Sequence, residues 1–327
     1  MMNSGSRGFT PIEQLIVVAV IPILAASCAL LRTPSLRMSA RYDDERKCVD
    51  VTENGRLVLR YSHGSTAPPA GIDAQYARGD YISHLYGLDG ELLTEDYPAD
   101  HAHHRAVNWS WATLRRRGEM RDAFAVRGVW ARPVRMNRAH GGDIFALIDA
   151  ESEWKWDDKD PVVHERVIIR AFQTAGRNEQ RRCVDVEIHL TALVEDLEFC
   201  GRLDQGYSGF NLRMAPAKGQ RIVLHNDPPD AEPRRSWADY SAFFRGEEKE
   251  RSGVAVLQHK SNPLYPSEWL QYPNLNYFQP AYPGGKPIAM PKGETITLRY
   301  RLWIHSGELS EEELSDLWTT YNQNAVP

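Results

Sequence analysis

Cysteine is scarce in this 327-residue chain: there are four, with no CxxC pair and no zinc-ligand spacing, so neither a disulfide framework nor a cysteine-based metal module organises it. Excess charge is small too. The 39 Lys and Arg against 44 Asp and Glu leave a formal charge of -5, with no global positive field to draw the chain to nucleic acid. Long apolar runs are missing except for one, Leu15 to Leu31, which lies near the lower limit of roughly 17 residues for crossing a bilayer; a multi-span membrane protein is excluded. There is no phosphate-binding loop and no internal repeat, and helical patterning is sparse. What is present is an ordinary folded composition, 42% hydrophobic and 25% charged, with nine Trp, fourteen Tyr and nine Phe.

Residues 8–31, GFTPIEQLIVVAVIPILAASCALL, lie between Arg7 and Arg32 as a short polar head, an apolar stretch and a charged stop. The stretch resembles a type IV prepilin leader cleaved after Gly8. It also reads as a lipoprotein signal modified at Cys28, or as a retained anchor. All three make residues 1–40 an address, give a single membrane contact through residues 15–31, and place the rest of the chain outside the cytoplasm. Cys48, Cys183 and Cys200 follow this segment, and a Cys183–Cys200 disulfide competes with buried free thiols.

From residue 41 the pattern is of short β-prone segments between turns. Asn54-Gly55 between VDVT and RLVLRYS signals a hairpin. Further strands are expected at Val162–Phe172, Cys183–Val194, Arg221–His225, Gly253–His259 and Thr295–His305. In the second of these, Val184, Val186, Ile188 and Leu190 alternate with polar residues, which indicates a sheet with one wet face and favours antiparallel pairing. Ser310 to Glu313 forms a capping box ahead of a closing helix. The proline- and aromatic-rich stretch from Pro263 to Pro291 is expected to be a long ordered loop. Residues 41–327 therefore read as a single all-β domain, a large antiparallel β-sandwich with one C-terminal helix.

The densest chemistry is Asp100-His101-Ala102-His103-His104-Arg105, with Trp109 and Trp111 just beyond. Three imidazoles within four positions supply metal ligands, proton transfer near neutral pH, or hydrogen bonds to a polyol. If extended, His101 and His103 face one way and His104 the other. Next come Gly206-Tyr207-Ser208-Gly209 with Arg213, whose planar fork suits hydroxyl pairs or a carboxylate. Trp237 and Asp239 follow, then His259 and Asn262 at a strand end, and His305 at the end of the last strand. Trp154 and Trp156 share a strand face as a binding platform or a core edge, and Glu165 is a buried acid or a solvated partner.

DHAHHR with NWSW, then GYSGFNLR, SWADYS, HKSNP and LRYRLWIHSG, resemble in order the PmoA-like family over most of residues 55–307. Ala102, Ala106, Ser208 and Gln258 stand where that family carries Pro, Gly, Gly and Asp. The resemblance implies a galactose-mutarotase-like supersandwich, in which a histidine and a carboxylate exchange protons with a sugar. A literal methane oxygenase role is disfavoured by the single apolar run. The reading is thus an exported, membrane-tethered sandwich that binds or acts on carbohydrate or another polyol. His103, His104, His259 and Glu165 are the candidate proton-transfer groups, with Glu268 as the alternative carboxylate. His101, Arg105, Trp109, Trp111, Arg213, Trp237, Asp239, Asn262 and His305 are the candidate ligand contacts. The residues point to no particular cofactor and to no defined set of metal ligands. The alternatives are a non-catalytic surface module and a metal-dependent enzyme.

Overall fold

The structure, a computed structural model, describes residues 38–65, 67–175, 181–224 and 236–323. The leader, residues 15–31, Cys28 and His225 lie outside the described residues. Within them are twenty strands, numbered β1 to β20 in chain order, and one α-helix, α1 (Glu311–Gln323).

One sheet has the order β1 (Met38–Asp43), β2 (Cys48–Glu53), β3 (Arg56–Ser62), β4 (Tyr81–Leu85), β5 (Val107–Trp111), β13 (Ser208–Arg213), β18 (Tyr277–Ala281), β17 (Glu268–Tyr272). The second runs β14 (Lys218–Leu224), β15 (Trp237–Phe243), β16 (Ser252–Gln258), β20 (Thr295–Ser306), β11 (Arg181–Ala192), β10 (Asp160–Phe172), β9 (Phe145–Trp156), β8 (Val129–His140). A small third sheet joins β19 (Ile288–Met290), β12 (Leu197–Cys200), β6 (Thr113–Arg116) and β7 (Glu119–Arg121). Neighbouring strands run antiparallel.

The two large sheets pack face to face through side chains of alternate residues. Phe210 on β13 stacks on Tyr300 of β20 at 4.3 Å, and Trp111 on β5 meets Trp154 of β9 at 5.4 Å. On β11 the four aliphatic residues are buried as their alternation predicts, each stabilising the sandwich by roughly 1.5–3 kcal/mol. The β2–β3 hairpin turns at Asn54-Gly55, both with positive φ (50° and 79°), as a two-residue turn between right-twisted strands requires. The capping box also forms: Glu313 N–H donates to the Ser310 hydroxyl at 3.2 Å, and Ser310 N–H donates to the Glu313 carboxylate at 2.9 Å.

Two expectations are corrected. The Pro263–Pro291 stretch is not a long loop but holds β17, β18 and β19. Proline obscured β18: Pro280 has no N–H, the β13–β18 ladder is interrupted beside it, and the Gln279 side chain accepts the Ser208 N–H instead, at 2.9 Å. Cys183 and Cys200 do not pair, because β11 and β12 belong to different sheets, and Cys48, Cys183 and Cys200 are all free. Burial pushes the Cys183 thiol up to about 12, which leaves it inert.

Candidate functional site

Sheet order explains how distant motifs meet. β13 pairs with β5, placing Leu212 opposite Val107, and Arg213 N–H donates to the Ala106 carbonyl at 2.8 Å. β18 lies on the other side of β13 with Tyr277 opposite Arg213, and β17 then brings Tyr272 opposite Tyr277. Alternation along β5 sends Trp109 and Trp111 into the core and leaves Asn108 and Ser110 on the opposite face. A buried polar chain crosses that face: Tyr277 donates to Asn211 at 2.6 Å, and Ser110 donates to Asn108 at 2.9 Å.

The histidine segment is bent, not extended. His104 N–H donates to the His101 carbonyl at 2.8 Å, closing a turn that brings all three rings together. His104 is sandwiched between His101 (4.7 Å, 12°) and Tyr277 (4.8 Å, 23°), with the His103 ring edge-on at 4.7 Å. The three imidazoles, with Phe124, Gln205, Tyr207, Tyr272, Leu275 and Tyr277, line an open cleft of about 290 Å³.

Arg213 is only 4% exposed and stands behind His104. Its Nη1 faces His104 Nδ1 at 3.5 Å, its Nη2 donates to Asp100 at 2.8 Å, and its Nε donates to Glu95 at 3.2 Å. A guanidinium only donates, so Nδ1 of His104 accepts and the neutral ring carries its proton on Nε2. Burial, then the charges of His103, His101 and Arg213, pushes His104 down to about 2. Burial, then His101 and three arginines, pushes His103 down to about 4. Both rings are therefore neutral at pH 7, and His103 lines the cleft as an unprotonated base. Burial would raise the Asp100 carboxyl, but hydrogen bonds from Arg213 and His101 hold it below the usual range.

The remaining candidates lie elsewhere. Arg105 is fully buried and does not reach the cleft: its Nη1 holds the carbonyls of Ala102 (2.6 Å) and His104 (3.2 Å), and its guanidinium lies 3.5 Å from the Tyr97 ring centre. It fixes the histidine turn from below. Trp111 donates to the Tyr282 carbonyl in the core. Glu165 is a buried acid between sheets, taking hydrogen bonds from the indoles of Trp109 and Trp154. Trp154 and Trp156 are core residues, and Glu268 is exposed on the edge strand β17. Trp237 is buried under α1 with Leu314 and Tyr321. Asp239 and His305 pair at 2.9 Å within the second sheet, both fully buried. His259 bonds Ser261 at 2.7 Å and meets Tyr321 of α1 edge-on, while Asn262 clamps the Arg299 backbone at 2.7 and 2.9 Å. Asp239 and His305 belong to the second sheet, and His259 and Asn262 to the turn after β16 that packs on β20 and α1, which sequence order alone does not separate from the first sheet.

Tyr207, Tyr272, Tyr277, Phe124, Gln205 and Leu275 were missed as site residues. Tyr207 sits inside the GYSGFNLR block, and Tyr272 and Tyr277 lie in the aromatic-rich stretch, so composition offered a signal there; Phe124 and Leu275 offered none. Among the described residues no three His, Cys, Asp or Glu side chains are arranged to hold a metal ion. Nor, among them, is any helix long and apolar enough to cross a membrane.

Comparison with solved structures finds distant likenesses. Heparan sulfate lyase HepC from Pedobacter heparinus is 8% identical with a TM-score of 0.40, over 83% of this chain and 37% of the lyase. A second polysaccharide lyase is 11% identical with a TM-score of 0.29, over 88% of this chain and 35% of its own. The galactosidase domain of the alpha-galactosidase-sucrose kinase AgaSK is 10% identical with a TM-score of 0.28, over 82% of this chain and 42% of its own. The chain thus spans well under half the length of each. No curated protein matches it in sequence. A family model does, across residues 48–319 and hence both large sheets and the histidine cleft, and the chain belongs to that family, DUF6807, a family of unknown function.

Proposed function

We propose that the histidine cleft binds a neutral carbohydrate ring and that His103 accepts a proton from it. The observation that carries this is the lining: three imidazoles, three phenols, an amide and two apolar side chains, with no Asp, Glu, Lys or Arg among them. With His103 and His104 neutral, such a surface offers little to a phosphate. Phenols, imidazoles and an amide donate and accept hydrogen bonds with hydroxyl groups, and aromatic faces stack on the C–H face of a sugar. A volume of about 290 Å³ suits one sugar unit. Glycoside hydrolysis by paired carboxylates finds no pair in this lining; proton exchange at a hemiacetal fits it better, His103 taking the proton of the anomeric hydroxyl as the bond from C1 to the ring oxygen breaks and a phenol of the lining giving the ring oxygen a proton.

The test is calorimetric binding of a monosaccharide panel to the full chain, with anomer interconversion followed by NMR. His103→Ala is expected to slow interconversion at least roughly 100-fold. The sign of the pH dependence follows from the neutral base: activity stays level from pH 8 to about 5, then falls as His103 protonates near 4. Binding without interconversion would make this a recognition module. Binding unchanged in both His103→Ala and Tyr277→Ala would remove the cleft from the account.

The PmoA-like resemblance enters this reading through its motif blocks, since DHAHHR and GYSGFNLR are the two that build the cleft. A methane oxygenase role is not part of it. We also propose that residues 1–40 export the domain and hold it at the membrane, the apolar run between Arg7 and Arg32 being the support. Free thiols that burial holds in the protonated state are compatible with an oxidising compartment. Fractionation of expressing cells is expected to recover the protein outside the cytoplasm, and a wholly cytosolic pool would refute export.

A further inference from the structure

Two loops wall the histidine cleft, residues 122–128 and 201–207, and a second hollow of about 750 Å³ lies against the same two loops. The first loop is tightly closed. Asp122 and Arg127 exchange backbone hydrogen bonds at 3.0 and 2.7 Å, and the Asp122 carboxyl accepts the Ala125 N–H at 2.8 Å. Val126 is held at φ 55°, a left-handed conformation that a β-branched residue rarely adopts and that costs on the order of 1–3 kcal/mol. This loop carries Phe124 into the histidine cleft and Arg127 to the adjoining hollow.

That hollow is lined by three arginines and three aspartates, and two of the arginines are held in ion pairs. Arg121 is taken by Asp157 at 2.8 Å and Glu119 at 3.0 Å, and Arg202 by Asp204 at 3.3 Å. Arg127 is exposed; among the described residues no hydrogen bond or salt bridge ties down its guanidinium, and the carboxyl that its charge reaches is Asp122 of its own loop. It lies near enough to His103 for its charge to be felt there. An exposed planar fork in one hollow, on a loop that also walls the histidine cleft and held by no hydrogen bond or ion pair among the described residues, is a receptor for a carboxylate.

We infer that the cleft continues into a second subsite, at Arg127, which takes the carboxylate of an acidic sugar unit joined to the neutral unit in the histidine cleft. This rests on the carbohydrate reading of that cleft. Arg127 reads the charge of the neighbouring unit, and the same charge helps to hold His103 unprotonated.

The test uses the full chain and matched oligosaccharides of gluco, manno and galacto configuration, each neutral or oxidised to the uronate at C6. Affinities are measured by calorimetry for the wild type, Arg127→Ala and His103→Ala. In at least one configuration the uronate is expected to bind about tenfold or more tightly than its neutral partner. Arg127→Ala is expected to abolish that ratio while leaving the neutral affinity unchanged, and 0.5 M salt, roughly the regime in which exposed charges are screened, to reduce it in the wild type. Equal affinity for both partners, or a ratio that survives Arg127→Ala, overturns the subsite and leaves the histidine cleft standing. A ratio lost in Arg127→Ala but with all affinities indifferent to His103→Ala supports the subsite and overturns the cleft reading. If no oligosaccharide binds, both fall.

Discussion

Replacing Glu165 with alanine is expected to lower the unfolding free energy by about 3–5 kcal/mol, measured by urea denaturation, because it strands two indole donors in the core. Both carboxyl oxygens are engaged: Oε1 by Trp109, and Oε2 by Trp154 at 2.6 Å. Burial first, then the charge of Asp80 and a hydrogen bond with it, drives the carboxyl well above its ordinary 4.5, which favours the protonated acid in the folded protein. A carboxyl OH can donate to Asp80 while its oxygen accepts from an indole, whereas an amide nitrogen cannot accept. Glu165→Gln is therefore expected to destabilise as well, by about 1–3 kcal/mol, despite its matching shape. The unfolded chain ionises this acid near 4.5, so its stabilising contribution is complete below that pH and declines as pH rises toward the folded value. That decline should be missing in the glutamine variant. A variant as stable as wild type at every pH would show that the indoles find other partners.

Asp239→Ala is expected to cost a similar amount, about 3–5 kcal/mol, because it removes one partner of a fully buried pair. His305 Nε2 lies 2.9 Å from the Asp239 carboxylate and Nδ1 lies 3.0 Å from the Gly307 carbonyl, so both ring nitrogens face acceptors. Gly253 makes room for this ring. A β-carbon there would lie 2.4 Å from His305 Nε2 and 2.7 Å from the Tyr240 carbonyl oxygen. Gly253→Ala should therefore destabilise by roughly 1–3 kcal/mol through overpacking against backbone that cannot yield. In the double variant Gly253→Ala with His305→Ala the ring clash is gone, so the two costs should fall short of their sum. Strict additivity would separate Gly253 from the pair. Sugar binding at the distant histidine cleft is expected to survive all of these changes as long as the domain folds.

Much of the fold was legible because local physics dictates it. Alternating burial along β11, the Asn54-Gly55 turn and the Ser310–Glu313 capping box each follow from a few neighbouring residues, and each formed as read. β18 was not legible, since Pro280 argues against a strand; only the structure shows the ladder interrupted there, with the Gln279 side chain accepting the Ser208 N–H.

The sequence by itself determined that this is a β-sandwich and that imidazoles crowd one short segment; the pairing of β13 with β5 set Arg213 beside them. Tertiary structure alone decided the rest. The turn at His101–His104 stacked rings that an extended chain would have parted, and strand alternation turned Trp109 and Trp111 inward. Pairing of β18 with β13 supplied Tyr277, and the second sheet and its connections carried Asp239, His259 and His305 away from the cleft. The reason is physical: spacing along a strand tells which residues share a face, while the neighbour that face meets depends on pairings between segments more than sixty residues apart, such as Arg213 with Tyr277.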